Sequence, residues 1–323
     1  MEKRRLGNSS LETGSLILGG NVFGWTVNEQ VSFKLLDAFV DAGFNMVDTA
    51  DSYSTWVPGN KGGESETIIG NWMKQRGNRD KIIVATKVGS DMGEGKKLSK
   101  EYILRRVEDS LARLQTDYID LYQSHYDDLS TPVEETIDAY AELIKQGKVR
   151  IIGASNFSPE RLKQSVEYSD TKNLHRYETL QPLYNLYDRE QFEKNYRAYC
   201  IANGISVIPY YSLARGFLTG KYRSENDLSK SARGSGVKRY LNDRGYLILN
   251  ALDEVAVYNE TKPSTVALAW LMSRPEIAAP IASATTIEQL NELVNAAYLQ
   301  LDKDAILLLD TASNYESILP LHN

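Results

Sequence analysis

Cysteine is almost absent from this chain of 323 residues: Cys200 stands alone. A single thiol makes no internal disulfide and no Cys-rich metal site. Histidine is scarce too, with three residues and no pair at ligand spacing, so no metal site is expected. No apolar run approaches the roughly 20 residues that span a bilayer. The basic residues of Met1-Glu2-Lys3-Arg4-Arg5-Leu6 have no apolar signal region behind them. An excess of positive charge is missing as well. Lys and Arg number 37 against 43 Asp and Glu, a formal net charge of −6, which argues against nucleic acid or an anionic membrane as partner. These absences lead us to expect a cytoplasmic protein. Asn8-Ser9-Ser10 and Asn156-Phe157-Ser158 match the glycosylation acceptor pattern, and without a secretory signal both read as chance.

What is present is a repeated unit, a short apolar run followed by an amphipathic stretch. Strands are expected at 16–18, 45–48, 82–86, 119–123, 150–154, 179–181, 206–209 and 277–281. Helices are expected at 30–42, 64–75, 100–114, 133–146, 159–168, 190–203, 246–260 and 287–297. In the third helix Ile103, Leu104, Val107, Leu111 and Leu114 form one apolar stripe, while Arg105, Arg106, Glu108, Asp109 and Arg113 fill the rest. The fifth opens with Ser158 as N-cap and Pro159 at the first helical position.

Strand–helix alternation implies parallel strands joined by right-handed crossovers. An open doubly wound sheet is the rival arrangement, but its usual fingerprint is missing: no Gly-x-Gly-x-x-Gly follows the first strand, and no Walker-type Gly-Lys-Ser/Thr occurs. The pattern therefore predicts a single (β/α)8 TIM barrel over residues 1–323, with long loops at 55–63 and 216–244 on the C-terminal face, where barrel active sites lie.

Four strand ends carry polar groups that such a barrel brings to one mouth: Asp48 and Tyr53 after the second strand, Lys87 after the third, His125 after the fourth and Ser155-Asn156 after the fifth. A phenol titrates near 10, too weak an acid for rapid donation at neutral pH. An ammonium beside it stabilises the phenolate and is expected to lower that pKa. A carboxylate would hold the ammonium charged, and a histidine can orient a carbonyl. The set lacks a redox centre, so a hydride carrier must be borrowed. His175 and His322 are expected at the surface or in loops.

At these residues the chain resembles the aldo-keto reductase family, in particular its bacterial branch similar to potassium-channel β subunits. The resemblance runs from Arg5-Leu6-Gly7 to about Ala297 and rests on Asp48-Thr49-Ala50-Asp51-Ser52-Tyr53, Gly63-Glu64-Ser65-Glu66, Thr86-Lys87, Arg113-Leu114-Gln115-Thr116-Asp117-Tyr118-Ile119-Asp120-Leu121, Gly153-Ala154-Ser155-Asn156-Phe157 and Leu213-Ala214-Arg215-Gly216-Phe217-Leu218-Thr219-Gly220-Lys221-Tyr222. It implies an NAD(P)H-dependent reductase of aldehydes or ketones, with NADPH expected and NADH possible. Tyr53 matches the general acid, Lys87 and Asp48 the groups that tune it, and His125 the group that orients the carbonyl. Ser155, Asn156 and Gln181 match the carboxamide contacts, and Tyr210 the ring stacked on the nicotinamide. Leu213, Arg215, Gly216 and Lys221 match the loop over the pyrophosphate, with Arg233 joining them. Gly20 and Asn21 match first-strand positions near the cofactor, and Ser283, Thr285, Gln289 and Glu292 match the adenosine side.

The chain departs from the family pattern in three places. The usual Tyr-Ser-Pro-Leu is Tyr210-Tyr211-Ser212-Leu213 here, and Leu293 stands where many members carry an Asn. No Lys or Arg lies between Ile281 and Glu292, so the segment 283–289 offers hydroxyls and an amide to a 2′-phosphate and only modest discrimination between the two cofactors is expected. Trp25, Trp56 and Tyr126 either anchor loops or line the substrate pocket, and we assign them to the pocket. The other reading, suggested by the channel-subunit relatives, is a cofactor-binding regulatory subunit with little turnover. An unrelated barrel enzyme such as a phosphate-sugar isomerase has little support. The sequence leaves the natural substrate, the reaction's direction and the oligomeric state open.

Overall fold

The computed structural model describes residues 3–316, so His322 and the two ends of the 1–323 span lie outside the described residues. The chain opens with an antiparallel hairpin of β1 (Lys3–Arg5) and β2 (Glu12–Gly14). Eight parallel strands follow: β3 (Ile17–Gly19), β4 (Met46–Asp48), β5 (Ile83–Val88), β6 (Ile119–Ser124), β7 (Val149–Ser155), β8 (Tyr177–Gln181), β9 (Ser206–Val207) and β10 (Ile281–Ala282). Each of β3 to β8 pairs with the next in chain order, and β10 pairs with β3.

The ring closes through residues 276–281. Val207 N donates to Glu276 O at 3.0 Å, and Ile281 N to Pro209 O at 3.0 Å. On the other side Ile17 N donates to Pro280 O at 3.0 Å. The expected strand at 277–281 is thus a bonded edge whose regular ladder is only Ile281–Ala282.

Helices α1 (Glu29–Asp41), α2 (Glu64–Arg76), α3 (Lys100–Leu114), α4 (Val133–Lys145) and α5 (Pro159–Lys172) follow β3 to β7 as the periodicity predicts. Ser158 caps α5 by accepting from Arg161 N at 3.2 Å, with Pro159 behind it. The expected helix 190–203 is broken into α6 (Glu190–Asn195) and α7 (Arg197–Asn203), because Tyr196 leaves helical geometry at φ −123° while its hydroxyl donates to Phe157 O at 2.7 Å. Next come α8 (Asp243–Tyr258), α9 (Pro263–Met272), α10 (Ile287–Asn295) and α11 (Lys303–Ala312). Neither α9 nor α11 was expected. Ser264 to Met272 are all buried in α9, so no polar face marks its period. No helix among the described residues is long and apolar enough to cross a membrane.

The inner surface of the barrel sorts its residues by height. Ile17, Met46, Ile83, Leu121 and Ile151 pack together near the bottom, where Leu6 of the hairpin plugs the opening. Because side chains alternate along a strand, the same faces carry Asp48 and Gln123 two residues beyond Met46 and Leu121, and Lys87 four residues beyond Ile83. The apolar layers fill the barrel and the polar layer tops it. That is the arrangement in which a barrel carries a site at its C-terminal mouth.

Candidate active site

Lys87 is the hub of that polar layer. Its ammonium donates to Asp48 Oδ2 at 2.7 Å, to the carbonyl of Thr49 at 2.7 Å and to Tyr53 Oη at 2.9 Å. All three contacts come from the β4 strand end and the tight turn behind it, where Tyr53 N donates to Ala50 O at 3.3 Å. Ser54, at φ 73°, fastens the turn by donating to Phe23 O at 2.9 Å. Asp48 Oδ1 accepts from Gln181 Nε2 at 2.9 Å and from Gln123 Nε2 at 3.4 Å. The carboxylate is therefore held on both oxygens. Gln123 had no role in the sequence reading, although a polar residue closing the expected strand 119–123 was a usable signal.

The electrostatics correct one expectation. The ammonium was expected to lower the Tyr53 phenol, yet burial, then the charge of Asp48 and its hydrogen bond, raise it well above the usual phenol range. Tyr53 Oη donates to Asp48 Oδ2 at 3.1 Å, so a negative group lies almost as close as the positive one and neither faces water. Burial also pulls Lys87 below the ordinary ammonium range, opposed by Asp48, Asp51 and Glu66. Behind the site the fully buried Asp51 is raised to about 7 by desolvation and by Glu66, against the pull of Arg106 at 3.2 Å.

His125 follows β6, its backbone N donating to Val88 O at 2.7 Å. Burial, then Lys87 and Lys96, hold it well below the usual imidazole range, so the ring is neutral. Its centroid lies 6.1 Å from that of Tyr53, and Nδ1 is 3.4 Å from Ser52 Oγ.

Above these groups runs a cleft of about 1110 Å³. Asp48, Tyr53 and His125 form part of its floor, while Lys87 sits wholly beneath, bonded to both Asp48 and Tyr53. At one end Trp56 and Tyr126 line the wall with Ser52, Thr55 and Ser90. Trp25 does not line the cleft. It packs edge-on against Trp56 at 5.5 Å, with Arg233 5.5 Å from its ring centroid.

In the middle, Ser155, Asn156 and Gln181 converge. Ser155 Oγ donates to Gln181 O at 2.9 Å, and Asn156, at φ 54°, donates from Nδ2 to His125 O at 2.9 Å. Tyr210 is tied into this group, its hydroxyl donating to Asn156 Oδ1 at 3.1 Å. Leu213, Arg215, Gly216, Lys221 and Arg233 line the next stretch from the covering loop. Tyr211 takes φ 51° at the head of that loop, the backbone solution where the family pattern differs.

At the far end Asn21, Ser283, Thr285, Gln289, Glu292 and Leu293 line the wall. Ser283 Oγ donates to Asn21 Oδ1 at 2.6 Å, and Thr285 N donates to Gln289 Oε1 at 2.9 Å. Gly20 does not line the cleft. A Cβ there would stand 2.8 Å from Ser65 Oγ, so that glycine serves the packing of α2 against the barrel. The sequence reading saw no cation at this end. Lys262 and Lys230 also line the cleft, both from chain segments outside 281–292.

The wall suits a dinucleotide: amides and hydroxyls in the middle, a phenol ring beside them, and cations along a stretch that ends in a hydroxyl-rich pocket. Glycine at position 19 lets β3 approach this end closely, since a Cβ there would meet Ser283 Oγ at 2.5 Å.

Comparison with known proteins agrees with the chemistry. A family profile described as "Aldo/keto reductase family" matches residues 15–314. The chain is 34% identical over 318 residues to "Uncharacterized oxidoreductase YrpG" of Bacillus subtilis, covering 96% of this chain and 95% of that one. It is 35% identical over 274 residues to "Aldo-keto reductase YhdN" of the same organism, covering 83% and 78%. "Protein tas" of Escherichia coli is 30% identical over 332 residues, covering 95% and 96%. With a (β/α)8 barrel, a match over nearly its whole length and relatives at this level, the chain belongs to the aldo/keto reductase family and is an NAD(P)H-dependent oxidoreductase.

Proposed function

We propose that the protein reduces an aldehyde or ketone to an alcohol, with Tyr53 as the general acid. The observation that carries this is the buried Lys87 ammonium hydrogen-bonded at once to Tyr53 Oη and Asp48 Oδ2 beneath a cleft fitted to a dinucleotide. Ser155, Asn156, Gln181 and Tyr210 would hold a reduced nicotinamide, which when bound would supply the hydride to the carbonyl carbon. The remaining work belongs to the chain.

Tyr53 carries its proton at neutral pH, because burial and Asp48 disfavour the phenolate. It gives that proton up only as the carbonyl oxygen gains negative charge, when Lys87 Nζ, 2.9 Å away, stabilises the phenolate being formed. Asp48 fixes the ammonium, and Gln181 and Gln123 fix Asp48. With Nδ1 turned to Ser52 Oγ at 3.4 Å, neutral His125 presents Nε2 to the carbonyl oxygen and, protonated there, orients it. The hydrogen on Tyr53 Oη must first turn from Asp48 toward the substrate, so a bound carbonyl competes with the carboxylate for it.

On the cofactor side we propose NADPH, favoured over NADH by no more than about a hundredfold, roughly 2.7 kcal/mol. Steady-state oxidation of NADPH and NADH against a panel of sugars, aldehydes and small ketones tests the whole reading. Turnover with a carbonyl supports it. Tight cofactor binding without turnover on any of them would favour a regulatory subunit instead.

A further inference from the structure

Five cations reach the cleft wall between the catalytic floor and its far end, and their surroundings divide them. Arg215 stacks over the Tyr211 ring at 4.5 Å and Arg233 over the Trp25 ring at 5.5 Å, so both are held over aromatic rings. Lys221 lies over the backbone of Gly216, where a Cβ would stand 3.7 Å from its Nζ. Lys230 is spent on Asp227 at 2.7 Å and on the carbonyl of Lys221 at 3.0 Å. Lys262 differs from all four. It is exposed, and among the described residues it makes no ion pair and no ring contact, though it lines the cleft.

Its position is fixed by its neighbours. Lys262 is the N-cap residue of α9, with extended backbone at φ −106° and ψ 150° and no capping bond from its side chain. Two residues on, Ser264 Oγ donates to Glu292 Oε2 at 3.0 Å, and Thr265 Oγ1 donates to Glu292 O at 3.0 Å. These bonds pin the first turn of α9 to α10. Gln289 lies one turn before Glu292 on α10 and receives Thr285 N and Oγ1 at 2.9 and 3.0 Å. On its other flank Pro263 packs toward Gly220, whose Cβ would meet its ring at 3.5 Å. Lys262 thus projects from the seam where the covering loop meets the hydroxyl-and-amide pocket of the far end.

We propose that Lys262 reads the 2′-phosphate of the adenosine ribose and is the source of any preference for NADPH over NADH. This rests on the reading that a nicotinamide dinucleotide lies along the cleft with its adenosine at the far end. The phosphate carries nearly two negative charges near neutral pH, and Thr285, Gln289 and Ser283 offer hydrogen bonds without charge. An ammonium free of other partners supplies the missing charge without breaking an existing pair. Lys262 comes from the N-terminus of α9 and not from the covering loop that carries the other four cations, so it senses the group by which the two cofactors differ.

The test compares Lys262→Met and Lys262→Arg with the wild-type protein in fluorescence titrations with NADPH, NADH, 2′,5′-ADP and 5′-AMP at fixed salt. In Lys262→Met we expect NADPH and 2′,5′-ADP to weaken by about tenfold to a hundredfold, the scale of one charge-assisted contact, with NADH and 5′-AMP held within about twofold. Lys262→Arg should retain most of the affinity for the phosphorylated pair. Equal weakening of all four ligands, or none, overturns the assignment, as does a wild-type protein that binds NADPH no tighter than NADH. Wild-type protein that binds none of the four overturns the dinucleotide reading itself. Binding of 5′-AMP and NADH with an unaltered NADPH affinity in Lys262→Met removes Lys262 alone.

Discussion

Tyr53 Oη accepts a hydrogen bond from Lys87 Nζ at 2.9 Å while lending its own proton to Asp48 Oδ2 at 3.1 Å. The phenol is therefore held between a cation that would stabilise its conjugate base and an anion that opposes it. Burial adds to the opposition, and the free site keeps the proton. Such a donor is inert toward solvent and gains its driving force only from charge that develops on a bound oxygen.

Tyr53→Phe removes the donating hydroxyl and leaves the ring. We expect turnover to fall at least about a hundredfold, the scale of a positioned general acid, with cofactor affinity nearly unchanged. Single-turnover cofactor oxidation measures the first and fluorescence titration the second. Near-normal turnover would remove Tyr53 from the mechanism. Lys87→Met should behave similarly, because the phenolate then forms without a cation beside it.

Tyr210→Ala deletes the ring beside the Asn156 amide. Binding of the cofactor should weaken by on the order of 1 kcal/mol of aromatic contact, while the chemical step slows less. Titration of intrinsic fluorescence reads the affinity. An unchanged value would shift the stacking role to Tyr211, which also lines the cleft.

Asp51 titrates at about 7 in the fold, raised from 3.8. Between those pH values the folded chain keeps a proton that the unfolded chain has released, so this group makes stability fall as pH rises through the window and adds no slope above it. Asp51→Asn removes that term. Relative to wild type, the variant's Tm should be higher at pH 8 than at pH 5. A variant that loses more Tm at pH 8 than at pH 5 would show that the ion pair with Arg106 outweighs the burial of Asp51.

His125 stays neutral over the ordinary assay range because burial and the charges of Lys87 and Lys96 oppose the imidazolium. The pH profile of turnover should therefore show no ionisation near the usual 6.5 for imidazole. Nuclear magnetic resonance of the ring protons of His125 gives the direct check. A titration step near that pH would mean that the site is wetter than its geometry implies.

The sequence alone carried the barrel and most of the polar mouth, because both depend on short-range pattern. Alternation along a strand is local, so Asp48, Lys87 and Gln123 share the inner face with Met46, Ile83 and Leu121, as a period of two requires. Amphipathic periodicity likewise placed α1 to α5 within a few residues of their ends. It failed where the environment has no polar side: α9 is buried all round and showed no stripe to read. It failed also at Tyr196, where a hydrogen bond to Phe157, 39 residues away, accompanies a break in the helix. Three features of the site had to wait for the tertiary structure. The direction of the Tyr53 shift comes from burial first and from Asp48 second, and no motif states how much water surrounds the group. The clamp of Gln181 on Asp48 joins residues 133 positions apart. Lys262 lines the cleft from the N-terminus of a helix that the periodicity did not reveal, whereas the segment 281–292 itself carries no cation. Electrostatics at a point in space adds contributions from every chain segment that passes nearby, whatever their order in the sequence.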